Sequence, residues 1–307
     1  MAFDVCVYGT VCLDRMRSVD RLPLDGGYVD ILEEVLAPGG EALNTAVALS
    51  RWGARAALVG NDIGDDESGR ALLEGVVRDA PNLDLRFVKV RPDAQTPVCD
   101  CYVAPDGRRA MFGQGFRAMS SPDVPSEALD AKLFTAEPNA REAATRAVLQ
   151  ASEKGLPIVA MDFHRIEEAA KRATVLQTSY EHLSLPPDPP HLMEAAAQLH
   201  ARFGATTVIT AGEHGYVWIE DLMYRPIYQT AYVAPKVIDT TGSGDAFRAG
   251  YIFAHWLCGE SLPAAFKFGA AAAALNAAEL GAYAGIPSES KIRAFMVSAG
   301  NEAAQGE

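Results

Sequence analysis

Short apolar runs alternate with stretches of helical periodicity along almost the whole chain, and that alternation narrows the fold more than any other feature. "VCVYGTVCL" reads as a strand, "EALNTAVALSRWG" carries apolar residues at helical spacing and stops at Gly53, and "AALVG" is a strand again. "DDESGRALLEGVVRDA" is a capped helix. Further on, "KLFTA", "LPIVAMDF", "ATVLQTS" and "TTVITAG" are strand-length apolar runs, separated by helical stretches such as "AREAATRAVLQASEKG". A strand buried on both faces reads as a continuous apolar run, and its alternation with helices marks βαβ units. The expectation is an α/β fold with a parallel-rich central sheet and helices on both faces. With 307 residues, 49% of them hydrophobic, the chain can bury such a core, and a single α/β domain over 1–307 is expected.

Two segments break the rhythm. "RMRSVDRLPLDGGYVDILEEVLAPGG" (15–40) and "QTPVCDCYVAPDGRRAMFGQG" (95–115) alternate polar and apolar residues around "DGG" and "PDGR" turns. Both read as antiparallel hairpins, which together form a small sheet over one end of the core. The Pro-rich "SLPPDPPH" (184–191) is a surface connection, because strand–helix alternation continues on either side of it.

Charge limits the partners. Lys and Arg number 27 against 40 Asp and Glu, a net charge of −13, which argues against nucleic acid because phosphate contacts need a basic face. A small anionic ligand needs only a local site and is not excluded. The five cysteines are scattered, so a reducing cytoplasm is expected rather than a disulfide framework. Cys99 and Cys101 would share one face of a strand, but no second ligand pair stands at a metal-binding spacing. "MAFDVCVYGT" has no basic segment of an export signal. "AAFKFGAAAAALNAAELGAYAG" (264–285) is interrupted by Lys267, Asn276 and Glu279, so it reads as a packed helix and not a membrane span.

"DTTGSGDAFRAG" (239–250) crowds two aspartates, three glycines and three hydroxyls in front of an apolar helix. One reading is helix capping, since Asp, Ser and Thr satisfy orphan N–H groups there. The other is an anion site, in which bare backbone amides and the helix dipole hold a phosphate or a developing negative charge. Gly242 and Gly244 let the backbone approach a ligand, and their N–H groups with that of Ser243 would converge on one oxygen cluster. Asp245 follows in the first helical turn. Capping alone requires neither both glycines nor the second aspartate.

This stretch and "PGGEALNTAVALSRWGARAALVGNDIGDDESGR" (38–70) resemble the two signature regions of the ribokinase-like (pfkB) carbohydrate kinase family, and the likeness extends over essentially the whole chain. The resemblance implies ATP-dependent phosphorylation of a primary hydroxyl on a sugar or sugar-like molecule, with Mg²⁺. It assigns Asp245 the role of base, and phosphoryl transfer to an alcohol does need a carboxylate to accept the hydroxyl proton. It places Asp239 and Thr241 near a monovalent cation (K⁺) site, beside the local reading of a strand end turning into a loop. "TAGEHG" (210–215) is similar to the family's nucleotide loop, with Thr210, Gly212 and Gly215 toward ATP phosphates, while Asn276 falls near the adenine or is simply a helix-face residue. Asp14 ends the first strand region and would grip sugar hydroxyls with Gly39, Gly40 and Asn44, with Glu137 at the end of "KLFTAE" in the same pocket; the alternative for Asp14 is a solvated strand end. The two hairpins would be a lid over the acceptor. Val29, Ile31, Val98 and Tyr102 are expected on its outer face, where two lids would pair in a homodimer.

The chain also departs from the family. Cys12 stands where ribokinase has Asn, and Glu41 where it has Lys, so ribose is a poor fit. "MDFHR" (161–165) only approximates the stretch of acid-sugar kinases, with Arg165 one residue early. Where most members carry Asn-x-x-Glu for the Mg²⁺ waters, the chain reads "TSYEHL" (178–183), with Ser179 and His182 at the two positions. A hard cation prefers oxygen, so Glu181 is expected to take the outer-shell role with His182 turned away. Two further functions are carried alongside: a nucleoside kinase, and a catalytically weak sugar-binding protein on the same scaffold.

Overall fold

In the computed structural model, residues 1–305 are described apart from Asp106, Leu222 and Tyr224, and over 300–305 only the helical backbone is. The strands, in chain order, are β1 (Val5–Gly9), β2 (Cys12–Val19), β3 (Ile31–Gly39), β4 (Ala56–Gly60), β5 (Ile63–Gly64), β6 (Val90–Arg91) and β7 (Val98–Val103). They continue with β8 (Arg109–Gln114), β9 (Leu133–Ala136), β10 (Ile158–Met161), β11 (Val175–Ser179), β12 (Thr206–Thr210), β13 (Tyr216–Ile219) and β14 (Ile227–Gln229). The α-helices are α1 (Glu41–Arg51), α2 (Glu67–Asp79), α3 (Glu142–Glu153), α4 (Glu167–Ala170) and α5 (Tyr180–Leu183). After them come α6 (Pro189–Phe203), α7 (Ser243–Ile252), α8 (Leu262–Asn276) and α9 (Glu289–Gln305).

Side chains of a strand alternate between faces, and in β1 each face meets its own layer of helices. Val5 and Val7 pack with Leu43 and Val47 of α1, Phe247 and Tyr251 of α7 and Phe268 of α8. Cys6 and Tyr8 turn the other way, toward Ala144, Ala147 and Val148 of α3. Eight strands form this sheet in the order β14-β13-β12-β11-β10-β9-β1-β4. It is parallel from β4 through β12, and β13 and β14 add an antiparallel edge. Phe247 stacks on Phe266 between α7 and α8. Each such buried ring stabilises by about 1.5–3 kcal/mol, which anchors α7 firmly behind the sheet edge.

A separate four-stranded sheet runs β3-β2-β7-β8, with β2 and β7 parallel and the outer pairs antiparallel. It joins the two hairpin segments 15–40 and 95–115. The "PDGR" turn includes Asp106, which lies outside the described residues. Asp14 pairs with Cys99 and Met16 with Cys101, so both thiols share the face of Asp14, and all five cysteines are free. The outward face differs from the expected apolar one. Val98 is buried against the main body, and Tyr102 accepts a bond from Arg17, which also pairs with Glu34 and Asp100. Ile31 is exposed as expected and Val29 is half-buried, and Leu36 and Phe112 add further exposed apolar surface.

Two further local readings change. The helix expected over 264–285 ends at Asn276, where the chain turns to brace a loop described below. The Pro-rich segment is only partly a connection. Pro189 opens α6, capped by Asp188, because proline at the first helical position gives up no needed donor.

Candidate active site

The parallel strands bring their carboxyl ends to one edge, where ligands settle in open α/β sheets, and the N-terminus of α7 comes to the same place. Gly242 takes φ +73° as the helix N-cap, and a Cβ there would collide with the Ala282 carbonyl. The Ser243 N–H is spent on the Thr240 carbonyl at 3.2 Å, so it is not the free donor expected from the sequence. Helix geometry instead leaves the amides of Gly244 and Asp245 without an intrahelical acceptor. Gly244 borders open space, and the Ser243 hydroxyl is shielded and unpartnered. Gln177 of β11 donates to the Gly244 carbonyl at 3.0 Å, fixing this turn against the sheet.

Asp245 is buried in that first turn. Its Oδ2 accepts from Asn44 Nδ2 at 2.9 Å, and its Oδ1 accepts from Arg248 Nη2 at 3.1 Å. Arg248 has no exposed surface at all; it also donates to the Glu41 carbonyl and the Thr45 hydroxyl, both at 2.7 Å. Burial pushes the Asp245 carboxyl up to about 6, against the pull of Arg248 and Asn44 and with the charges of Glu137 and Asp162 adding to the rise. Such a group is mostly ionised at neutral pH, yet close enough to neutrality to take and release a proton.

The nearby carboxylates are equally enclosed. Asp14 accepts from the Cys12 thiol at 3.2 Å, and a Cβ on Gly39 would collide with its carboxylate, so only glycine admits it there. Burial, then Asp239 and Asp245, push Asp14 up to about 7 against the Cys12 bond. It is not a solvated strand end. Asn44 leaves its Oδ1 shielded without a donor. Gly40 holds φ +102° at the start of α1, against the Thr10 carbonyl. Glu137 is buried, but its oxygens accept the Thr10 and Asn139 amides, which caps the short turn after β9. That turn is where its side chain is committed.

Asp239 and Asn276 brace the loop in front of α7. The Asp239 oxygens accept from the Thr241 and Gly281 amides, each at 2.9 Å, and the residue has no exposed surface. Asn276 donates to the Ala282 carbonyl at 2.9 Å and the Thr241 carbonyl at 3.4 Å, so its buried amide group is occupied by the backbone. From the small sheet, Arg109 donates to the Thr240 hydroxyl at 2.8 Å, while Cys101 Sγ lies 4.0 Å from Thr241 Oγ1.

At the ends of β10 to β12 the His182 ring packs toward Asp162. Its Nδ1 lies 3.0 Å from Asp162 Oδ2, and Thr178 donates to Asp162 Oδ1 at 2.7 Å. Asp162 pushes the His182 imidazole above its usual range, with burial opposing. Asp162 itself sits at φ +59°, a left-handed conformation costing a non-glycine residue about 1 kcal/mol that these bonds offset. Arg165 donates to the His182 carbonyl at 3.0 Å. Glu181 is exposed beside Tyr180 and Glu213. Thr210 donates to the Thr178 carbonyl at 3.4 Å, and Gly212 and Gly215, at φ +56° and +93°, bound the short turn after β12.

Sequence reasoning overlooked Arg248, Gln177 and Asp162. Arg248 interrupts the apolar "AFRAGYIF" one turn after Asp245, and Gln177 interrupts the apolar "VLQTS". A lone polar residue inside an otherwise buried element was the available signal.

The family described as pfkB family carbohydrate kinase matches residues 2–289. A ribokinase of Bacillus subtilis (strain 168) is 24% identical, with 95% of this chain and 99% of that protein covered. The structure of Arabidopsis thaliana ribokinase complexed with ribose and ATP superposes with a TM-score of 0.80 at 20% identity, covering 96% of this chain and 99% of that one. A nucleoside kinase of Methanocaldococcus jannaschii has the same fold at a TM-score of 0.77 and 18% identity, over 97% and 99% of the two chains.

Proposed function

We propose, for a chain that belongs to the pfkB family of carbohydrate kinases, that this ATP-dependent sugar kinase transfers the γ-phosphoryl group to a primary hydroxyl with Asp245 as the base. The observation that carries the reading is a buried carboxylate, held on one side by Asn44 and on the other by Arg248, at the open N-terminus of α7. The acceptor hydroxyl gives its proton to Asp245, its oxygen attacks the γ-phosphorus, and the bond to the bridging oxygen breaks to release ADP. The amides of Gly244 and Asp245, with the Ser243 hydroxyl and the close backbone at Gly242, stabilise the charge gathering on the transferring group. Asp14 and Asn44 accept from acceptor hydroxyls, with Gly39 and Gly40 giving the room, and Glu137 holds the floor through Thr10.

Thr210, Gly212 and Gly215 face the nucleotide phosphates, and Asn276 acts by holding the loop that borders the nucleotide. Among the described residues no cluster of three or more His, Cys, Asp or Glu could cage a metal, and an exposed carboxylate such as Glu181 fits water-mediated contact with a nucleotide-borne ion. Mg²⁺, when bound with ATP, neutralises charge on the phosphate oxygens. Asp239 is a fully buried carboxylate with two amide donors and no ion pair among the described residues, which suits a monovalent cation beside Asp239 and Thr241. The small sheet covers the acceptor and limits ATP hydrolysis by water. Exposed Leu36 and Phe112 on that sheet are the surface through which two copies would pair.

ADP formation across a panel of sugars and nucleosides, with and without Mg²⁺ and K⁺, tests this reading. Acceptor binding without ADP formation from any member would replace it with a sugar-binding protein on the same scaffold. No helix among the described residues is long and apolar enough to cross a membrane.

A further inference from the structure

The acceptor end collects more negative charge than neutral hydroxyls call for. Glu41 opens α1, and residues three apart on a helix share a side, so its side chain stands on the flank from which Asn44 reaches Asp245. Glu41 is half-buried, and its Oε2 is shielded with no hydrogen-bond partner. Burial first, then the carboxylates of Glu137, Asp245 and Asp162, push the Glu41 carboxyl well above its ordinary range against the pull of Arg248, so a cation beside it is what would let it ionise. Glu41 also acts on the thiol of Cys12, the residue that donates to Asp14. With Asp14 and the Asp239 that acts on it, six carboxyl groups lie within electrostatic reach of one another, against the Arg248 guanidinium and the His182 imidazole beside Asp162. That guanidinium is fully buried; its Nη2 is spent on Asp245, Thr45 and the Glu41 carbonyl, while its Nη1 is shielded and makes no hydrogen bond.

Hydrogen-bonding capacity points the same way. Asn44 is 5% exposed, and its amide group lies at Asp245, yet its Oδ1 accepts nothing. An unmatched amide oxygen and an unmatched carboxylate oxygen on one flank call for a ligand rich in donors, and beside so many carboxyl groups a cationic donor is the one favoured. A phosphate or carboxylate on the acceptor would meet Glu41 with like charge.

We infer that Glu41 recognises a positive charge on the acceptor, so that the preferred substrate is a polyol carrying an ammonium group. The ammonium donates to Glu41 Oε2, neighbouring hydroxyls donate to Asn44 Oδ1 and Asp14, and the hydroxyl to be phosphorylated lies at Asp245. This rests on the kinase reading above for the identity of the acceptor pocket. Charge-assisted bonds are about twice as strong as neutral ones, which sets the expected selectivity at about tenfold.

The test uses matched probes: 1-amino-1-deoxy-D-fructose against D-fructose, D-glucosamine against D-glucose, and D-galactosamine against D-galactose. Titration calorimetry gives affinities in the absence of nucleotide, and ADP release gives kcat/KM. At least one amine is expected to bind about tenfold more tightly than its neutral twin. Glu41→Gln should erase that preference while ATP affinity and melting temperature hold, and Glu41→Lys should favour the neutral twin. Neutral twins binding equally well, no amine binding at all, or a preference surviving in Glu41→Gln would each overturn the inference. Amine-selective binding without ADP release would overturn the kinase reading alone, whereas ADP release with neutral polyols only would overturn this one alone.

Discussion

The two ends of the candidate site are built on opposite plans. At the end proposed for the acceptor, buried side chains from distant parts of the chain close on one another: Asn44 and Asp245 are 201 residues apart, Thr45 and Arg248 203. At the end proposed for the nucleotide, the surface is shaped by the backbone turn at Gly212–Gly215 and by exposed residues such as Glu181 and His182. A buried charge that loses its partner costs several kcal/mol, while an exposed pair is worth about 0–1 kcal/mol. Substitutions at the acceptor end should therefore be far more damaging than those at the nucleotide end.

The largest effect is expected for Asp245→Asn, which should lower kcat by about two to four orders of magnitude while ATP affinity is kept. Near-normal turnover in the purified variant would remove Asp245 from the base role. Arg248→Met comes next, because it strands Asp245 among like charges; urea unfolding should show a loss of about 3–5 kcal/mol. A loss below 1 kcal/mol would mean that the pair is not the keystone its burial indicates.

Asp14→Ala should weaken acceptor binding by about ten- to a hundredfold, the worth of a charge-assisted hydrogen bond, with ATP binding unchanged. Calorimetry showing equal acceptor affinity would separate Asp14 from the acceptor. The smallest effects belong to the nucleotide end. Glu181→Gln should raise the Mg²⁺ concentration for half-maximal rate by about tenfold, the lower bound for an outer-shell partner, and His182→Ala should leave it unchanged. If the two variants exchanged outcomes, the metal-ordering role would pass to His182 through Asp162.

pH sharpens the same contrast. Asp14 and Asp245 are raised to about 7 and about 6, so between the ordinary carboxylate range and neutrality the folded state holds protons that the unfolded chain releases. Stability of the unliganded protein should then fall as pH rises from about 4 to about 7, and Asp14→Asn should flatten that slope. Over the same span kcat/KM should rise as Asp245 ionises, with a midpoint near 6. A melting temperature that climbs steadily from pH 4 to 7 would contradict the enclosed state of both carboxylates.

Some of this was legible in residues alone. The apolar runs at β1, β4 and β9 to β12 and the Gly-rich approach to α7 are local patterns, and burial on both faces leaves a periodic trace that needs no knowledge of neighbours. So the two-faced sheet and the small second sheet followed from the sequence together with its family resemblance, which also singled out Asp14, Asn44 and Asp245, and of these the structure joins Asn44 to Asp245. The tertiary structure alone decided that Arg248 locks Asp245, that the Ser243 amide is consumed within its turn, that Glu137 caps a turn, and that His182 faces Asp162. Periodicity states which face of an element is buried, but the partner a polar group finds there depends on the packing of every element around it, and no short stretch of chain contains that information.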